Sequence, residues 1–342
     1  MRIRVVGSVL LSCGLLLAGS VASAQEYKVI KKVALGGEGG WDYLRVDAEA
    51  RRLYISRSTR VMVVDADTLA PVGEIPDTPG VHGIAIASDL GRGFTSNGRD
   101  DSVTIFDLGT LKPLGRVKTG TNPDAILYDV LTHRVFAFNG RSGDVTVIDA
   151  KEGTVAGTIS IGGKLEFGVT DGAGRIFVNV EDKGQIAVLD ARVMKVLARW
   201  PLGCEEPSGL ALDLAHRRLF SVCDNKQMAV VDADKGRVVA KVAIGEGPDA
   251  AGFDPERQLA FSSNGGDGTL TVVHERSPEK FKVIQTLATQ RSARTMVLDP
   301  KTHNIYLAAA EFGERPSPTP EQPRPRPPVL PGSFTVLVVG RP

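Results

Sequence analysis

Val61-Met62-Val63-Val64-Asp65 is a β-prone run that closes on an acid, and the chain repeats it. Val103-Thr104-Ile105-Phe106-Asp107, Val145-Thr146-Val147-Ile148-Asp149, Ile186-Ala187-Val188-Leu189-Asp190 and Met228-Ala229-Val230-Val231-Asp232 follow, then Leu270-Thr271-Val272-Val273-His274. By subtraction, their last residues lie 42, 42, 41, 42 and 42 positions apart. A fixed period of about 40 residues with several short strands in each is the mark of a β-propeller, one blade per repeat.

Working outward from the third run gives the whole repeat. Strand a is Ala125 to Asp129, strand b Arg134 to Phe138 before Asn139-Gly140, strand c Val145 to Asp149 and strand d Thr154 to Ile161. β-branched and aromatic residues fill the runs, and Gly, Asp and Asn bound them. Strand-a starts near Asp42, His82, Asp124, Glu166, Ser208, Asp249 and Arg294 count seven blades. The last repeat has strand a at Thr295 to Asp299, b at Asn304 to Ala309 and c at Ser333 to Val339, with no strand d after it. Tyr27 to Ala34 resembles a strand d with nothing before it. Pairing it onto the last repeat removes two exposed sheet edges, so the expected fold is all-β: a closed seven-bladed propeller of four-stranded antiparallel blades, its last blade completed by the N-terminal strand.

Strand-b ends read Phe94-Thr95-Ser96-Asn97-Gly98, Phe136-Ala137-Phe138-Asn139-Gly140 and Phe261-Ser262-Ser263-Asn264-Gly265. With the acid-ended strand c and the links Val117 to Pro123 and Ile244 to Pro248, the chain resembles the YVTN-repeat propellers, the YncE-like family of exported proteins. The resemblance runs over essentially all of residues 25–342. It implies a fold; related propellers include binding proteins, lactonases, lyases and oxidoreductase domains. Val180, Cys223 and Ala309 depart from the Asn position, and the chain has no Cys-x-x-Cys-His haem motif.

Residues 1–24 read as a secretory signal: Arg2 and Arg4, an apolar stretch from Val5 to Leu17, and Ala22-Ser23-Ala24 as an A-x-A cleavage site. A lipoprotein signal through Leu11-Ser12-Cys13 would truncate the apolar segment. No later run approaches the roughly 18 apolar residues of a membrane span. The expected product is a single propeller, residues 25–342, periplasmic or secreted. Removing the leader takes away two Arg and no acid, leaving 39 basic and 40 acidic residues and a charge of −1. That balance argues against nucleic acid as a partner. Cys204 and Cys223 remain, and in an oxidising compartment they read first as a disulfide, with a thiolate metal site as the alternative. Residues 312–332 form a Pro-rich insertion in the last blade, which is either a disordered excursion or a semi-rigid flap over one face.

In a propeller the d–a links and b–c loops share one face. The strand-a starts Asp42, His82, Asp124, Glu166, Asp249 and Arg294 are therefore expected to ring the channel mouth and bind a ligand, with Arg57 and Asn139 at the rim. Glu181 and Asp224 follow strand-b ends on the same face. The competing role for Asp and Asn at strand ends is turn capping; it weighs less on His82 and Arg294, which break the acidic pattern. The expectation is a binding protein rather than an enzyme, its partner a small molecule or a periplasmic protein. The alternative is a metal-assisted lactonase or lyase with a divalent cation on Asp42, Asp124, Glu166 and Asp249. No cofactor is otherwise required. His133, His216 and His303 fall in a–b turns on the opposite face, and His274 replaces a strand-end Asp.

Overall fold

The computed structural model describes residues 26–319, 325 and 327–341; the expected leader lies outside the described residues. Seven antiparallel sheets of four strands each are present, six of them built from consecutive strands. Blade 3 is typical: Pro123–Asp129, Arg134–Asn139, Asp144–Asp149 and Thr154–Ser160. Among the described residues, helix is confined to two short 3-10 turns, Ser88–Leu90 and Glu181–Lys183. No helix there is long and apolar enough to cross a membrane.

Strand b carries a buried aromatic in every blade, at the third position in blades 1 to 6 (Tyr54, Phe94, Phe136, Phe177, Phe220 and Phe261) and at the second in blade 7 (Tyr306), each at most 1% exposed. These rings sit in hydrophobic clusters shared by neighbouring blades; one cluster joins Phe136 and Phe138 of blade 3 to Val178 and Leu189 of blade 4. Burying such a side chain stabilises by about 1.5–3 kcal/mol, so the core that holds the ring together lies between sheets.

Polar clips add to it on the face of the a–b turns. Arg52, Arg92, Arg134 and Arg175 open their strands b and donate to the carbonyls of Leu108, Ala150, Ala191 and Ala233, each just past strand c of the next blade. Acids at the end of strand a, or one residue beyond it, cap their own turns and accept a donor from the next blade. Asp129 accepts Thr170 at 2.6 Å, Asp171 accepts Arg217 at 3.1 Å, Asp254 faces His303 at 2.9 Å and Asp299 accepts Arg51 at 2.8 Å.

The chain closes as expected. Lys28–Ala34 pairs antiparallel with Thr335–Gly340, from Lys28 opposite Gly340 to Ala34 opposite Thr335, and completes the sheet of Thr295–Leu298 and Ile305–Ala309. Tyr27, just before that strand, reaches blade 6, where the Gln285 amide bonds both its N–H (2.9 Å) and its carbonyl (2.8 Å). Cys204, in the link into blade 5, is disulfide-bonded to Cys223 at the end of strand b, with Cα atoms 6.1 Å apart. The thiolate metal alternative is thereby set aside.

Candidate functional site

Strand a lies at one edge of every blade, and successive strands a meet around the axis. In blades 2 to 6 their pairing slips near the first residues: between Val81 and Ile84, Pro123 and Ile126, Leu165 and Gly168, Pro207 and Leu210, and Pro248 and Ala250. A bulge frees a side chain from sheet alternation and re-aims it. The second residues of these strands are His82, Asp124, Glu166, Ser208 and Asp249. Together with Asp42 and Arg294 they line a cavity of about 890 Å³ at the channel mouth. The inner strands are packed tightly enough that a Cβ on Gly209 would stand 2.6 Å from Ala250 Cα of the next blade.

The six expected ring residues thus converge, but they are paired rather than free. His82 Nδ1 lies 2.6 Å from Asp42 Oδ2 and 3.9 Å from Asp124 Oδ1. Arg294 bridges Asp42, at 3.2 Å, and Asp249. Lys164 bridges Glu166, at 2.9 Å, and Glu181. Lys164 was not legible as a site residue; it is the link residue two places before Glu166.

Burial and crowding of like charges set the protonation pattern. For Asp42, burial opposes ionisation but is outweighed by the His82 hydrogen bond and the Arg294 charge, so its carboxyl sits below the usual range. His82 is drawn upward by Asp42 and Asp124 despite burial. Burial, then the charges of Asp42 and Asp249 against the opposing His82, push Asp124 up to about 6. Burial, Asp124 and Glu181 push Glu166 up to about 9, against the pull of Lys164. Asp249 is also raised by burial, with Arg294 opposing.

Two expected rim residues are not at the mouth. Arg57 is 0% exposed. Its guanidinium donates to the carbonyls of Gly36, Gly37, Glu38 and Gly39 and lies 3.7 Å from the centre of the Phe334 ring. It organises the link into blade 1. Asn139 is also fully buried, and its Nδ2 donates to Asp144 (2.6 Å) and Thr146 (3.0 Å). Asn97 and Asn264 make the same two kinds of contact in their blades, so this position caps the b–c turn.

The four-carboxylate cation set is likewise divided: Glu166 is held by Lys164 and Asp249 by Arg294. At the mouth, among the described residues, the grouping with metal-ligand spacing is Asp42, His82 and Asp124, whose ligating atoms all lie within 4.8 Å of one another.

One side of the cavity is apolar. Trp41 packs on Phe312 (5.9 Å between ring centres) and Phe334 (5.5 Å), and Tyr43 stacks on Phe167 across the axis at 5.4 Å. Phe312 belongs to the Pro-rich insertion, whose base is a short antiparallel ribbon. Phe312 bridges Val329, Gly313 N–H donates to Pro328 O at 2.9 Å and Leu330 N–H to Glu311 O at 2.8 Å. Phe312, Pro327 and Val329 line the cavity. The base of the insertion therefore forms a wall of the mouth; residues 320–324 and 326 lie outside the described residues.

No protein-family model and no curated protein matches the chain. Solved structures do. The RRP9 WD40 repeats superpose with a TM-score of 0.74 at 11% identity, over 92% of this chain and 97% of that one. U3-55K superposes with a TM-score of 0.74 at 11% identity, over 91% of this chain and 98% of that one. At that identity the likeness carries the architecture alone: this chain has the propeller fold that those WD40 repeats have.

Proposed function

We propose that the channel mouth binds a small organic cation, an amine or guanidine on an apolar body, in an exported propeller of the YVTN-repeat kind. The observation that carries this reading is the charge of the lining: seven carboxyl groups (Asp42, Asp124, Glu166, Glu181, Glu206, Asp224 and Asp249) face three basic side chains, His82, Lys164 and Arg294. Asp124 is the ring acid that neither Lys164 nor Arg294 contacts. A cation placed beside it relieves the crowding of like charges that raises the carboxyl groups of Asp124 and Glu166. The cavity volume suits a drug-sized molecule, and Trp41 and Phe312 supply the aromatic faces that organic cations favour. Export is supported by the leader-like segment and by the disulfide, which persists in oxidising compartments.

Calorimetric titration with matched amines and carboxylates tests the reading. Amines should bind with proton release at pH 7, and Asp124→Asn should weaken them at least about tenfold, the loss of one charge-assisted contact. Preferential binding of carboxylates, or amine binding indifferent to both Asp124→Asn and Asp42→Asn, removes it.

The Asp42–His82–Asp124 grouping favours one second reading, a metal-assisted lactonase or lyase in which these three residues hold the cation. Metal-dependent lactone opening that vanishes in His82→Ala would promote it over the first.

A further inference from the structure

Glu275 breaks the repeat within its own blade. The residue just past strand c is Ala66, Ala150, Ala191 and Ala233 in blades 1, 3, 4 and 5, each at most 2% exposed. Glu275 takes that slot in blade 6. Its N–H donates to Gln258 O at 2.9 Å, as that of Ala66 does to Arg51 O and that of Ala233 to Arg217 O. A carboxyl group thus stands where four other blades bury a methyl, and its side chain is 0% exposed. Among the described residues, neither of its oxygens receives a hydrogen bond. An ionised carboxylate in such a place needs a cation or a proton to be tolerated.

The neighbours supply lone pairs rather than donors. Asp213 ends strand a of blade 5, where four other blades take a donor from the next blade; here the next blade presents Glu275. The Asp213 oxygens accept the N–H groups of Ala215 and His216 and keep further lone pairs. Arg218 spends its guanidinium on the carbonyls of Pro278, His216 and Arg217 and on Asp232 at 3.6 Å. His216 Nδ1 lies 2.9 Å from Asp213 Oδ2 and 3.2 Å from Glu275 Oε1. The ligating atoms of all three residues fall within 4.8 Å of one another.

We infer that Asp213, His216 and Glu275 form a divalent transition-metal site of the zinc class between blades 5 and 6, on the face opposite the channel mouth. Ligands about 2.0–2.2 Å from a tetrahedral zinc stand roughly 3.3 Å apart, close to the separations here. An imidazole nitrogen in the set disfavours magnesium and calcium. The His216 side chain is 30% exposed, while its Nδ1, facing the two carboxylates, is buried with them.

The test is calorimetric titration of the EDTA-treated full chain with zinc chloride, and the readout is the number of equivalents, because the acidic mouth offers zinc a second set of ligands. Glu275→Gln and His216→Ala should each abolish one equivalent, or weaken it by at least about a hundredfold, while Asp124→Asn leaves that equivalent in place. The amide introduced by Glu275→Gln keeps the size of the carboxyl group and can donate to Asp213, which protects folding. Should that variant unfold nonetheless, His216→Ala, in a half-exposed turn, decides the question. Zinc-edge anomalous scattering should place the ion between the three side chains. Unchanged zinc equivalents in the variants, or no zinc bound at about 100 μM, where ΔG° of binding would be weaker than about −5.5 kcal/mol, overturns the inference and assigns the cluster a proton shared between Asp213 and Glu275.

Discussion

Truncating Tyr27 to alanine tests how the ring is closed. Tyr27 is 1% exposed. Its ring stands edge-on to Phe261 at 5.4 Å, Arg341 lies 4.6 Å from the ring centre, and Arg257 donates to its hydroxyl at 3.2 Å. Removing a buried aromatic ring costs about 3–5 kcal/mol, of which the hydroxyl bond accounts for about 1. With an unfolding entropy of about 2.1 cal/mol/K per residue over roughly 300 residues, that loss lowers Tm by about 5–8 °C. Tyr27→Phe keeps the ring and should lose only about 1–2 °C by the same conversion. The Gln285 clasp bonds Tyr27 through its main chain, so Tyr27→Ala keeps the strand in place and reports on packing. Denaturant titration and calorimetry on the three proteins give the comparison. A Tyr27→Ala loss under about 1 kcal/mol, with an unchanged m-value, would refute the idea that packing of the Tyr27 ring onto blade 6 secures the closing strand.

Three further outcomes follow from the geometry. Replacing Cys204 and Cys223 with serine should cost about 3 kcal/mol in the chain-entropy model for a 19-residue separation; alkylation without reductant, read by mass spectrometry, should find neither thiol in the parent protein. Arg57→Lys should destabilise by about 2–4 kcal/mol, because one ammonium cannot replace a guanidinium bonding four successive carbonyls; a urea midpoint equal to the parent's would contradict that role. Asp124 has its folded pKa raised to about 6 from an ordinary value of 3.8, so ionising it opposes folding, and its contribution falls as pH rises from about 4 to about 6. Asp124→Asn should therefore raise Tm at pH 8 and change it little at pH 4, and an equal effect at both pH values would exclude a titrating Asp124.

The fold was legible because a propeller writes its period into the chain: acid-ended strands c, Asn-Gly strand-b ends and a leftover first strand all follow one register. The ring at the mouth was legible for the same reason, since counting back from Asp129 or Asp254 lands on Asp124 or Asp249. The register gives the face on which a side chain emerges but not its partner. It could not say that Arg57 folds back onto Gly36 to Gly39, that Lys164 neutralises Glu166, or that Phe312 returns from a long insertion to pack on Trp41. Those contacts are set by loop paths without a period. The arginine opening strands b and the alanine slot filled by Glu275 are periodic, and the same alignment of repeats contains both.

The closing strand also sets a timetable. Lys28–Ala34 precedes every blade in the chain, while its partner Thr335–Gly340 follows them all. During synthesis and any transport, six blades can assemble while this strand waits with both edges unpaired, a state open to pairing with a second molecule. Lys28, Lys31 and Lys32 lie within it, and lysines on a bare edge discourage such pairing. Once the ring shuts, Lys31 Nζ turns to the carbonyls of Asp67 (3.2 Å) and Thr68 (2.7 Å) in blade 1. One side chain thus guards the strand while it waits and fastens it to its neighbour after arrival, and replacing these lysines with threonine should show first as aggregation during refolding rather than as a lower melting temperature.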